Sequence, residues 1–204
     1  MSDYPKTDLI ILAGGQARRM NGQNKLLLDF DGEAQLSKIA HAFQGQVHEL
    51  WINSHRDHEL YQKIIPDIKI FPDDAIGHLG PLMGIKTAWH YIKSDYALFI
   101  PCDITYIPPN ILKKLHLKLQ QHSDAHVVYI KVNQDFLYPF CLIKRSCFKI
   151  IDKNLQKNKL SLKYSFDLLN AQYIEIGNPD ISYHSLNSVK ELTDYQARKK
   201  FIYI

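Results

Sequence analysis

The chain has 204 residues, 46% of them hydrophobic, and a formal charge of +4, which suits a single α/β domain with a sizeable core and rules out a disordered chain. That charge fits an anionic small-molecule substrate but falls far short of the basic excess of a dedicated nucleic-acid binder. The three cysteines, Cys102, Cys141 and Cys147, include no C-x-x-C pair and leave one odd, which excludes a disulfide framework or a zinc cage and points to a reducing compartment.

The opening residues lack the apolar core of a signal peptide, and no apolar run approaches the ~20 residues that span a bilayer. A cytoplasmic protein without membrane contact is the expectation. The apolar run Leu9 to Leu12 stops at Ala13-Gly14-Gly15, and a basic loop with Arg18, Arg19 and Lys25 follows. A buried strand thus hands its carboxyl end to a loop able to bring backbone N–H groups and positive charge to an anion. A plain connection is the simpler reading of the glycine pair alone; the uniform charge beside it favours nucleotide phosphates. The loop has neither the Gly-Lys-Ser/Thr ending of a P-loop nor a G-x-G-x-x-G fingerprint.

Leu26 to Gly32 reads as a short extended piece closed by an Asp-Gly turn. Leu36, Ile39, Ala40 and Phe43 share a helical face, with Gly45 placed to end that helix. Strands follow at Val47 to Ile52 and Ile68 to Phe71, around a helix from Asp57 to Ile64, and they deliver Asn53, Asp73 and Asp74. Pro81 suits a first helical turn, and that helix buries Leu82, Ile85, Ala88, Trp89 and Ile92. Tyr96 to Ile100 is a continuous apolar strand followed at once by Pro101-Cys102-Asp103.

Beyond it the pattern predicts a helix from Pro108 to Gln121 and a strand from Ala125 to Ile130. Phe136 to Ile143 is extended, and Tyr138-Pro139 inside it marks an edge or irregular strand. Helices at Ser146 to Gln156 and Leu160 to Leu169 precede a strand at Tyr173 to Ile176. Ser188-Val-Lys-Glu191 is a capping box opening a last helix. The rhythm predicts a mostly parallel sheet with helices on both faces, as one domain over residues 1–204. In such sheets ligands lie beyond the strand carboxyl ends, where Gly14, Gly15, Asn53, Asp73 and Asp103 all fall. Asp103 is placed either to cap a turn or to hold Mg²⁺ against phosphate oxygens. His55 and His58, three apart among ten histidines, read as a solvated helix face in preference to a metal site. Trp51 and Trp89 read as core, and Lys144 to Lys163 as a solvated face.

Leu12-Ala-Gly-Gly15 with Arg18-Arg-Met20 and Lys25, then Gly80-Pro-Leu-Met-Gly84, then Pro101-Cys-Asp103 and Tyr106-Ile-Pro-Pro109, together resemble the molybdenum cofactor guanylyltransferases. Asn53, Tyr138-Pro139 and Asn187 to Leu192 fall where that family has comparable features, so the resemblance runs from about residue 7 to 195. It implies a Rossmann-like nucleotidyltransferase fold and transfer of GMP from GTP to the phosphate of molybdopterin, with release of pyrophosphate. By the same resemblance Leu12, Ala13, Gly14 and Gly15 meet the nucleotide, Lys25 binds phosphates, and Asn53 and Asp73 line the site. Asp103 binds GTP and Mg²⁺, Arg19 neutralises the leaving pyrophosphate, and proteins that donate the cofactor or mature molybdoenzymes are partners.

Three positions depart from the family pattern: Asn24 in place of Asp before the lysine, Leu26 in place of a small residue after it, and Tyr138-Pro139 in place of His-Pro. A cytidylyltransferase acting on the same cofactor or on a sugar or polyol phosphate is the nearest alternative. Such enzymes usually carry Leu-Ala-Ala-Gly, though some share the Asn-Lys-Leu-Leu-Leu run. A non-catalytic nucleotide-binding or cofactor-carrier protein is the alternative of another class.

Overall fold

In the computed structural model, described for residues 4–15, 22–30, 32–74, 79–177 and 185–202, seven strands form one sheet in the order β3-β2-β1-β4-β6-β5-β7. The strands are β1 (Thr7–Leu12), β2 (Leu50–Asn53), β3 (Lys69–Phe71), β4 (Tyr96–Pro101), β5 (Val127–Val132), β6 (Asp135–Lys144) and β7 (Gln172–Ile176). All pair parallel except β6, which runs antiparallel between β4 and β5. The helices are α1 (Gln35–Phe43), α2 (His58–Ile64), α3 (Pro81–Tyr91), α4 (Ile111–Gln121), α5 (Phe148–Gln156), α6 (Leu162–Asp167) and α7 (Val189–Ile202).

Alternate residues of each strand feed two cores, because successive side chains point to opposite sheet faces. Leu9 and Ile11 of β1 with Leu98 and Ile100 of β4 pack under Leu36, Ile39 and Phe43 of α1, Tyr61 of α2 and Leu112 and Leu115 of α4. Ile10, Leu12, Ala97 and Phe99 pack on the other face under Leu82, Ile85 and Trp89 of α3, Ile151 of α5 and Phe166 of α6. The strands are apolar on both sides for this reason, and the expected parallel sheet with helices on both faces is what forms. A third, small cluster of Phe30, Leu186 and Leu192 docks α7 beside the segment that follows Lys25.

Four expectations need correction. Leu26 to Gly32 is extended only in part: Lys25–Leu27 is a turn of 3-10 helix whose N-cap, Asn24, accepts from the Leu26 N–H, and the backbone is extended from Leu28, with Asp29 bridging Ala34. Residues 47–49 precede β2 and pair with β1 only through isolated backbone bonds, His48 N–H to Thr7 O and Leu9 N–H to Glu49 O. Of the two readings of the Tyr138-Pro139 strand the edge is overturned, since the strand lies inside the sheet with β3 and β7 at the edges, and the irregular strand holds. Its partner register jumps from Tyr129↔Cys141 to Ile130↔Leu137, so residues 138–140 bulge out of the ladder and Pro139 owes it no N–H. Lastly, Arg145 is no part of a solvated face. Its guanidinium donates to the carbonyls of Trp89, Ile92 and Ser94 and lies 5.0 Å from the Trp89 ring, closing the carboxyl end of α3.

The capping box does form: Ser188 Oγ accepts from the Glu191 N–H, and Glu191 reaches back to the Asn187 N–H. At the opposite rim of the sheet, His116 of α4 is 2% exposed. Its Nε2 lies 2.8 Å from Thr7 Oγ1, which itself donates to Pro5 O, so the imidazole is the donor in a neutral ring held at Nε2–H. Tyr4 stacks on it at 5.0 Å. Burial pulls its pKa from 6.5 down to about 4. The unfolded chain therefore takes up this proton first on acidification. The stabilisation is complete above pH 6.5 and is lost as pH falls toward 4, by about 2–3 kcal/mol at ~1.4 kcal/mol per unit. Urea unfolding between pH 7 and 4.5 should show a shallower pH dependence for His116→Gln than for the parent by that amount.

Candidate active site

The carboxyl ends of three adjacent strands meet at one level. Leu12 of β1 is opposite Asn53 of β2 on one side and Pro101 of β4 on the other. The chain then continues each ladder by one bond, Ala13 N–H to Asn53 O at 2.9 Å and Cys102 N–H to Leu12 O at 3.2 Å. Leu12, Ala13, Gly15, Asn24, Lys25, Arg56, Pro101, Cys102 and Asp103 line a cleft of ≈ 200 Å³ there.

On one side of the cleft Lys25 Nζ sits 2.9 Å from Asp103 Oδ2, with both side chains largely buried. Residues 78 positions apart are thus placed as one charge pair. Lys25 also reaches Asn187 Oδ1 at 3.4 Å. Asp103 is tied to the same segment through its carbonyl, which accepts from the Leu186 N–H. The pair engages one carboxylate oxygen and leaves the other available to a cation. Asp103 is the one carboxylate among the described lining residues, which fits Mg²⁺ because that ion takes one or two carboxylates together with phosphate oxygens and water.

On the other side Asn53 Nδ2 donates to Asp73 Oδ1 at 2.9 Å, and His55 Nε2 lies 3.3 Å from Asp73 Oδ2. Gly14 joins the two halves. A methyl there would come within 3.3 Å of Asn53 Oδ1 and 3.5 Å of Asp73 Oδ2, whereas one at Gly15 would meet nothing. Gly84 of α3 is packed tighter still: its missing side chain would overlap the Asn53 amide and press on Leu12. The Gly80-Pro-Leu-Met-Gly84 motif therefore sets the Asn53 side chain, and so the Asp73 carboxylate that Asn53 holds.

Leu12, Ala13, Gly15, Lys25 and Asp103 all line the cleft, and Gly14, Asn53 and Asp73 stand together beside it. Arg19, expected to meet pyrophosphate, and its neighbour Arg18 lie outside the described residues. Asp74 is turned away into a separate group with Lys86 at 2.6 Å and His90 at 2.9 Å. His55 and His58 diverge, the first to Asp73 and the second to the Ser54 carbonyl. Trp89 is core as expected, whereas Trp51 is half-buried beneath Lys69. Cys102 faces the cleft in part, but desolvation of its sulfur, reinforced by Asp103, pushes the thiol up to about 12. It is no thiolate nucleophile at neutral pH.

Two contributors escaped the sequence reading. Arg56 lines the cleft, donates to Gly22 O at 2.9 Å and lies 3.5 Å from Asp57 Oδ2. It stands shortly past the end of β2, the position that singled out the other site residues. Asn24 was noted only as a departure from family pattern. Its Nδ2 donates to Asp57 Oδ2 at 2.6 Å and Tyr61 Oη at 2.7 Å while its Oδ1 caps the Lys25 turn. Asp57 meets this amide from a left-handed backbone, φ 61°. An aspartate at 24 would set two carboxylates face to face, so in this chain the amide is what fixes the direction of Lys25.

A glycine turn, a buried lysine–aspartate pair and a carboxylate–amide pair thus meet at the parallel strand ends of an α/β fold. The chain belongs to the family described as MobA-like NTP transferase domain, which matches over residues 9–168. A molybdenum cofactor guanylyltransferase of Acinetobacter baumannii is 52% identical over 97% of this chain and 95% of its own length. Among solved structures, molybdopterin-guanine dinucleotide biosynthesis protein A of Archaeoglobus fulgidus covers 95% of this chain and 99% of its own at 15% identity, with a TM-score of 0.71. A CMP:2-keto-3-deoxy-manno-octonic acid synthetase complexed with CTP covers 96% and 99% at 15% identity, TM-score 0.69. The fold is thus shared by transferases of different nucleotides. Among the described residues no helix is long and apolar enough to cross a membrane.

Two substitutions test the geometry. Gly84→Ala should cost about 1–3 kcal/mol of stability by overpacking against Asn53 and should weaken nucleotide binding, read by thermal unfolding with and without GTP. Asn24→Asp should lose a comparable amount by setting two carboxylates together, and Asp57→Asn in the same chain should restore most of it.

Proposed function

We propose that this protein transfers GMP from GTP to the terminal phosphate of molybdopterin, giving the guanine dinucleotide form of the cofactor and pyrophosphate. The 52% identity to a named guanylyltransferase over nearly the whole chain carries this reading, and the chemistry of the cleft agrees with it. A phosphate oxygen of molybdopterin attacks the α-phosphorus of GTP. The new P–O bond forms as the bond to the β-phosphate oxygen breaks, and the electron pair leaves with pyrophosphate. The nucleophile is already ionised near neutral pH, so no side-chain base is required. The difficulty is repulsion among anions and charge building on the leaving group, which positioning and cationic groups relieve.

In this reading Lys25 exchanges the Asp103 carboxylate for phosphate oxygens when GTP arrives. Asp103, freed from that pair, would be the residue that holds a divalent cation. Bound Mg²⁺ would supply Lewis-acid neutralisation of those oxygens. Leu12, Ala13, Gly14 and Gly15 bring backbone to the nucleotide, Asn53 and Asp73 line its site, and Arg19 neutralises pyrophosphate. Arg56 adds a second cationic group at the cleft mouth. The cytoplasm is the proposed compartment, since GTP is found there.

The pterin side falls to the neighbouring strands. Phe136 and Tyr138 stack at 5.9 Å and 23°, Tyr173 meets Phe136 edge-on, and Lys131 lies 5.6 Å from the Phe136 ring. The exposed ring of Phe136 stands where β6 begins, on the same rim as the cleft, and that of Tyr173 stands farther down the sheet, near the amino end of β7. They offer a flat surface for a bicyclic heteroaromatic ring.

Mass analysis of the product formed from GTP, molybdopterin and Mg²⁺ should show the guanine dinucleotide. Larger thermal stabilisation by CTP than by GTP would overturn the choice of base. Asp103→Ala should lower kcat by about 100-fold or more with the fold intact, and normal transfer by that variant would refute the metal assignment. Tyr138→Ala should raise KM for the pterin while leaving GTP-induced thermal stabilisation unchanged.

A further inference from the structure

A second set of ligating side chains stands at the other rim of the sheet, at the amino ends of β1 and β2, and the proposed transfer does not use it. Asp8 of β1 is directly before Leu9, which pairs with Leu50, so Asp8 lies opposite Glu49 on the same sheet face. Like charges directly opposite one another on neighbouring strands are destabilising. His48 completes the group, its Nδ1 3.2 Å from Asp8 Oδ1. One donor atom from each of Asp8, His48 and Glu49 lies within 4.8 Å of the other two.

The decisive feature is the second oxygen of Asp8. The Asp8 side chain is 1% exposed, and its Oδ2 is fully buried with no hydrogen-bond partner among the described residues. An unpartnered buried carboxylate oxygen costs free energy that a partner must offset. Glu49 is engaged through Oε1 by Lys69 and also feels the Trp51 indole, while its side chain stays 31% exposed and so open to a further partner. His48 is 42% exposed and gives access from solvent. The group therefore has a buried anionic floor, an imidazole and a second carboxylate.

From this geometry we infer that Asp8, His48 and Glu49 bind a divalent transition-metal ion of the zinc class. An imidazole with two carboxylates suits Zn²⁺ better than Mg²⁺, which prefers oxygen donors alone. Zn²⁺ bonds these atoms at about 2.0–2.2 Å, so two donors on one ion stand at most about 4.4 Å apart and the three side chains close slightly on binding. The ion ties β1 to β2 at the end opposite the nucleotide cleft and joins residues 8 and 48, which bracket the whole phosphate loop. It acts as a clamp on the strand that presents Gly14 and Gly15, and takes no part in the transfer. The inference is independent of the reading of the cleft.

The test uses the full chain, stripped with a chelator and titrated with Zn²⁺ alone, without nucleotide. Asp103→Asn serves as the background so that zinc at the cleft is not counted. One equivalent should bind in that background, raising Tm, and Co²⁺ in its place should show visible ligand-field absorption. Adding His48→Ala, a half-exposed position whose loss leaves the core untouched, should weaken Zn²⁺ binding at least tenfold and abolish both signals. Adding Glu49→Gln should weaken it as well. Absence of stoichiometric Zn²⁺ binding in the Asp103→Asn chain, or binding indifferent to His48→Ala, would overturn the inference and leave the group as a local His48–Asp8 ion pair.

Discussion

The register of β1 is the constraint on which the site depends. This strand lies between β2 and β4, and its last residue, Leu12, is level with Asn53 on one side and Pro101 on the other. Parallel ladders place residues of like depth side by side, and a slip by one residue would reverse which face each side chain meets. Leu9 and Ile11 on one face and Ile10 and Leu12 on the other are all buried, so both cores resist that slip. Hydrophobic packing on two faces thereby positions polar groups that lie beyond it.

The polar groups are then held by one another. Lys25 is directed by Asp103 and Asn187, and its turn is fixed by Asn24 against Asp57 and Tyr61. Asp73 is directed by Asn53, whose amide is pinned by the absence of a side chain at Gly84. Lys25 and Asp73 therefore each have a second residue behind them, which directs them toward the cleft before a ligand arrives. The α7 segment contributes at a distance, since Leu186 and Asn187 touch Asp103 and Lys25 while Leu186 and Leu192 pack on Phe30.

The two rims of the sheet carry different chemistry. The carboxyl rim gathers charge that remains accessible to a ligand. At the amino rim His116 is buried neutral between Thr7 and two tyrosine rings, and Asp8 lies under His48 and Glu49. Polar groups there brace the strands, and among the described residues the Asp8 carboxylate keeps an unmet oxygen. Such separation follows from a parallel sheet, in which backbone loops of one rim follow strands and those of the other precede them.

Much of this was legible in the amino-acid order. Strands apolar on both faces announced a parallel sheet, because alternation disappears when both faces are covered. The Gly-Gly turn with Lys25, and Asp103 after an apolar strand, marked the phosphate side because those residues follow strand ends directly. What the order could not say was which strand ends become neighbours. The Lys25–Asp103 pair, the hold of Asn53 on Asp73 and the need for glycine at 84 arise across chain separations of 20 to 78 residues, and only the β3-β2-β1-β4 order creates them. The interior place of β6 was likewise undecided, since Pro139 marks either an edge or an irregular strand until the bulge removes it from the ladder. The sequence by itself determined the elements and the chemical kinds of group at their ends, through local periodicity and the position of glycine and charge. The tertiary structure alone decided partners, because strand order and register are set by packing of the whole core.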